Sequence, residues 1–175
     1  MSLAPTTLEA DVRRRVLRIE SLTIAWMTVE AVVSLGAAWR AHSPSLLAFG
    51  GDSAVELLSA GVIFWRFRST SAGAQTERLA ARITGGLLFA LGAFVIAASA
   101  LALLGHGAAR RSFLGIAILL SAAVVMPLLA RQKRQLSAIT SSAALRADAA
   151  ESALCGYMSW IALMGQYITT SFAGS

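Results

Sequence analysis

Residues 45–67 read SLLAFGGDSAVELLSAGVIFWRF, and two features of this stretch decide the fold. It is apolar over about the 20 residues that an α-helix needs to cross roughly 30 Å of hydrocarbon. Near its middle it nonetheless carries two carboxylates, Asp52 and Glu56. A helix that is apolar all round except for one narrow acidic edge belongs in a lipid bilayer, with that edge turned toward other protein.

The rest of the chain fits the same solvent. Hydrophobic residues make up 57% of the 175 positions and charged residues 14%, with a mean hydropathy of +0.68, whereas a soluble domain is about 25% charged. Further apolar runs cover 21–39, 83–104, 113–130 and 137–164. The expected fold is all-α, a polytopic transmembrane helix bundle of about five spans. A basic cytoplasmic arm is expected over 1–20, a transmembrane helical domain over 21–164 and a short carboxy-terminal tail over 165–175. The first span is long, follows about 20 polar residues and lacks a small-residue cleavage site followed by a soluble domain, so it is not expected to be a removable signal peptide.

The formal net charge of +6 would suggest nucleic acid in a soluble protein, but its placement says otherwise. Arg13, Arg14, Arg15 and Arg18 precede the first run. Arg66, Arg68, Arg78 and Arg82 flank the second link, and Arg131, Lys133 and Arg134 the fourth. Arg40, Arg110 and Arg111 fall on the other side. Read as topology charge, this puts the amino terminus in the cytoplasm and leaves no nucleic-acid role. Abundant arginine beside a single lysine points to a GC-rich bacterial genome, hence to a bacterial inner (cell) membrane. Gly85, Gly86 and Gly92 read as points of close helix approach, and Pro127 as a local bend in the fourth span.

Five of the nine acidic residues fall inside apolar runs: Glu30, Asp52, Glu56, Asp148 and Glu151. Each costs on the order of 2.5–3.5 kcal/mol near the bilayer centre, so each needs a partner, a cavity or an ion. Asp52 and Glu56 share one helical face, and Glu151 and Cys155 repeat the same four-residue spacing in the fifth run. Helix rise places Asp52 and Glu56 about 10 and 16 Å below the outer surface, and Glu151 and Cys155 about 21 and 27 Å from the inner one. Antiparallel packing then sets Glu56 beside Glu151 and Asp52 nearer Cys155. Three carboxylates and a thiolate suit a divalent ion, with sulfur favouring zinc. The alternative is that each acid pairs with a hydroxyl or an arginine and holds helices together. Cys155 reads either as a ligand or as a small buried filler, Asp148 as a brace, and Glu30 as protonated or bonded to a neighbouring helix. His42 and His106 sit in turns and read as solvated. An intramembrane enzyme lacks support, since no Ser/His or paired-His constellation lies in the spans.

The stretches SLLAFGGDSAVE with Ser59, and SAALRADAAES over 142–152, resemble the cation diffusion facilitator family. That resemblance implies a site for zinc or a related ion built from ligand pairs on the second and fifth helices, here Asp52 and Glu56 with Glu151 and Cys155. It also implies a homodimer, exchange of metal for protons, and no permanently bound cofactor. Family members commonly carry Asp or His where this chain has Glu56, Glu151 and Cys155. Most have six spans and a cytoplasmic carboxy-terminal domain, whereas the sequence to Ser175 reads as a short form with neither. Two functions are thus expected: a divalent cation transporter working as a metal/proton antiporter, or a non-transporting or truncated membrane protein whose acids stabilise packing or a partner interface.

Overall fold

A computed structural model describes residues 5–41, 44–69, 73–103 and 113–172. These form five α-helices: α1 (Pro5–Ala41), α2 (Pro44–Arg68), α3 (Ala74–Leu103), α4 (Phe113–Thr140) and α5 (Ala143–Phe172). Four are long and apolar enough to cross a membrane, in the segments Glu9–Arg40, Leu47–Arg68, Ala74–Ala97 and Gly115–Thr140. The fifth, α5, matches α3 in length at 30 residues but carries Arg146, Asp148 and Glu151 in its first turns. The protein is an all-α helical bundle of the multi-pass membrane type.

Three sequence expectations meet a different arrangement. The basic arm is no separate element, because α1 runs unbroken from Pro5 through residue 20 into the first span. Proline suits the first turn of a helix, and no second proline follows before Pro44. At the other end, residues 165–172 continue α5 instead of forming a distinct tail. Gly85, Gly86 and Gly92 face open space, with nothing within 4 Å of the position a Cβ would take. Pro127 lies inside α4 without ending it, and His42 and His106 fall outside the described residues.

The packing is inverted relative to a soluble protein. Large apolar side chains point outward, among them Trp39 (85% exposed), Phe89 (83%) and Leu22 (64%), while Glu30, Asp52, Glu56, Asp148 and Glu151 are fully buried. Water cannot produce this arrangement, since exposed apolar area on this scale needs an apolar solvent.

The helices form a ring in which α1 packs on α2, α2 on α3, α3 on α5, α5 on α4 and α4 on α1. A further contact, α2 against α5, closes across the middle. α2 runs antiparallel to both of its sequence neighbours: Leu35 of α1 meets Gly50, and Phe94 of α3 meets Gly51. The consecutive glycines make this possible, for a Cβ at 50 would lie 2.8 Å from Leu35 and one at 51 would lie 2.9 Å from Phe94. The Gly50-Gly51 pair thins α2 on two sides at once, so that α1 and α3 close on it just before Asp52.

The start of α5 is pinned from three directions. Ser142 caps the helix, its Oγ accepting from Leu145 N at 3.1 Å. Glu77 on α3 accepts from Ser142 Oγ at 2.8 Å and from Ala144 N at 3.2 Å. Its other oxygen accepts from Arg66 Nε on α2 at 2.8 Å. A carboxylate at a helix N-terminus also complements the helix dipole. This clamp sets the height of Asp148 and Glu151 relative to α2 and α3.

Candidate functional site

The α2 and α5 acids approach each other because each lies on the one polar stripe of an otherwise apolar helix. On α2 the stripe is Asp52, Ser53, Glu56 and Ser59; on α5 it is Asp148, Glu151, Ser152, Cys155 and Ser159, all fully buried. Such groups gain nothing from lipid and are driven together at the helix interface.

Their register is antiparallel. The Cys155 thiol faces Asp52, Ser152 Oγ donates a hydrogen bond to Glu56 Oε1, and the Ser59 hydroxyl faces Glu151. The pairing expected from helix rise set Glu56 against Glu151. In the structure Asp52 does face Cys155, but each of these glutamates meets a serine instead of the other. A serine opposite a carboxylate offers a hydrogen atom where a second carboxylate would offer repulsion.

Much of the acidic hydrogen-bonding capacity is unused. Both oxygens of Asp52, both of Glu151 and Oε2 of Glu56 accept no hydrogen bond, and Ser59 Oγ and the Cys155 thiol stop short of bonding geometry with Glu151 and Asp52. Among the described residues, no three His, Cys, Asp or Glu donors are gathered closely enough to hold a metal ion as they stand. The donors are instead spread along about 10 Å of helix axis.

Glu30 closes the column at one end. It accepts from Ser53 Oγ on α2 at 2.7 Å and from the Trp26 indole N–H at 2.7 Å, and lies 3.8 Å from Cys155 Sγ on α5. It is therefore tied to a neighbouring helix, and it adds a third helix to the lining.

The other end holds two residues that the sequence reading placed elsewhere. Glu20, assigned to the arm, and Lys133, counted as topology charge, are both fully buried. Lys133 Nζ lies 2.6 Å from Asp148 Oδ2 and 3.6 Å from Glu20 Oε2. Asp148, expected to brace the site, thus pairs with an internal cation. A signal for both existed in the sequence. Val16, Glu20, Thr23, Met27, Glu30 and Ser34 recur at helical spacing on the buried face of α1, and Leu119, Ala122, Met126, Leu129, Lys133 and Leu136 do the same on α4.

The result is a carboxylate column with Glu20 and Asp148 at one end, Glu151, Glu56 and Asp52 in the middle and Glu30 at the other. From Glu20 to Glu30 it spans about 15 Å along α1. Fully ionised, its six carboxylates would face one ammonium. In a low-dielectric bundle that excess is tolerable only if protons or cations join it. No known protein family, curated protein or solved structure matches this chain.

Proposed function

We propose that the protein carries divalent metal cations, zinc-like ions in particular, across the cell membrane in exchange for protons. The observation that carries this reading is the convergence of Asp52, Glu56, Glu151 and Cys155 from two helices onto one buried axis, with five carboxylate oxygens there left without a hydrogen bond. Oxygen donors bind protons and hard cations competitively, so each ion that enters releases protons and each proton that binds weakens the ion. A thiol among the oxygens shifts preference toward zinc over magnesium or calcium. Gathering the spread donors around an ion takes a small slide of α5 along α2, the kind of motion by which a bundle alternates access. The resemblance of both motifs to cation diffusion facilitators supports the same reading, together with a homodimer and a cytoplasmic amino terminus.

A second reading has an observation of its own. Ser53 to Glu30 and Ser152 to Glu56 are interhelical hydrogen bonds of the kind that hold membrane helices together without transport. Proteoliposomes enclosing a zinc-sensitive dye separate the two. Transport requires a signal that Asp52→Ala abolishes; equal signals from wild type, variant and empty vesicles would leave the acids as struts.

A further inference from the structure

Lys133 is the only lysine in the chain, and it is fully buried, seven residues before the end of α4. A lysine near a helix end ordinarily extends its stem so that the ammonium reaches the polar boundary. Here the stem turns inward, and the ammonium contacts α5 through Asp148 and α1 through Glu20. A buried ion pair is a poor source of stability compared with apolar packing, so this geometry calls for another use.

Two features point to a cation position with a tethered occupant. Glu20 is fully buried, yet neither of its oxygens accepts a hydrogen bond, and its ammonium partner stands off at 3.6 Å. Lysine also makes a point-charge contact, unlike the two-pronged grip of arginine, and is the easier of the two for a metal ion to displace. Next along the column, Glu56 lies within electrostatic reach of both Lys133 and Asp148. Asp148 also lies one turn from Glu151 on α5, which puts the three-residue position next to the α2/α5 donors.

We infer that Glu20 and Asp148 form a second divalent-cation site, held in this conformation by the Lys133 ammonium, which a passing ion displaces on its way to or from Asp52, Glu56, Glu151 and Cys155. The inference rests on the transport reading and adds to it a gate. With the ammonium seated, α1, α4 and α5 are drawn together; with an ion seated, Lys133 swings away and the end of the column opens. One positive charge is always present, so the carboxylate pair is never left bare.

The test is cobalt(II) binding to the full chain in detergent, measured by calorimetry. Wild type binds one ion per chain, Lys133→Met binds two, and Lys133→Met with Asp148→Asn returns to one. A single ion in both wild type and Lys133→Met overturns the inference and leaves the transport reading standing. Wild type binding none overturns the transport reading, while an ion gained in Lys133→Met and lost again with Asp148→Asn still supports the second site. If Lys133→Met does not purify as a folded protein, Lys133→Arg decides. Its two-pronged bond to Asp148 should slow ion uptake several-fold with one-ion stoichiometry unchanged, and uptake at the wild-type rate refutes the gate.

Discussion

Replacing Glu77 by alanine tests whether the clamp at the start of α5 sets the geometry of the column. The change removes an acceptor for Ser142 Oγ and Ala144 N and a charged partner for Arg66. Hydrogen bonds to a charged acceptor contribute about 1.5–3 kcal/mol each when buried. Here the Arg66 and Glu77 side chains are 17% and 22% exposed, and a partly wet ion pair adds at most about 1 kcal/mol. Because solvent reaches the site, each of the two bonds falls toward the ~1 kcal/mol of an ordinary hydrogen bond, and with the ion pair Glu77→Ala should cost about 2–3 kcal/mol. Glu77→Gln keeps a carbonyl oxygen for one donor but loses the charge, and should cost about half as much. The assay is reversible unfolding in mixed detergent micelles followed by far-ultraviolet circular dichroism. Since Asp148 and Glu151 lie in the first turns of α5, the same variants should bind cobalt(II) several-fold more weakly. An alanine variant within about 0.5 kcal/mol of wild type, the usual scatter for surface changes, would refute the clamp.

Other perturbations separate packing from charge. Gly50→Ala should destabilise by about 1–3 kcal/mol, and more than Gly51→Ala, because its Cβ meets the α1 backbone at Leu35 as well as the side chain, whereas Gly51 meets only the ring of Phe94. Equal melting temperatures for the two variants would contradict this. Asp148→Asn strips Lys133 of its 2.6 Å partner and should cost about 3–5 kcal/mol. Lys133→Met combined with Asp148→Asn should recover part of that loss, and a double-mutant cycle in the same unfolding assay checks the sign. Trp26 donates to Glu30, so divalent ions that draw on Glu30 should change tryptophan emission. Trp26→Phe should remove most of that change, while an undiminished signal would mean that Trp39, Trp65 or Trp160 reports it.

The helices were legible because the solvent imposes length: four of the apolar runs are helices long and apolar enough to cross a membrane. The α2 and α5 faces were legible because an acid inside an apolar run has few inexpensive options. What escaped the sequence lay at the edges of those runs. Glu20 and Lys133 stand beside arginines, Arg18 and Arg134 among them, where charge is ordinarily wet. Hydropathy alone cannot tell an inward-facing charge from an outward one; only the extension of the 3.6-residue stripe through Val16 and Leu136 distinguishes them. That Glu56 and Glu151 each meet a serine and not one another was out of reach for a different reason. Helix rise fixes distance along an axis, but the relative height of two helices comes from contacts such as the Glu77 clamp, which joins residues 65 positions apart. The open glycines of α3 show the converse limit, since small residues permit close approach without requiring it.

Metal content per chain tests the central claim most directly, because it asks whether the α2 and α5 side chains act as one set of donors. Purified wild type equilibrated with zinc and desalted should retain one ion per chain by elemental analysis, and Asp52→Asn and Glu151→Gln should each retain far less. Retention in both variants equal to wild type would contradict a shared site, since the two residues sit on different helices and have in common only the axis between them.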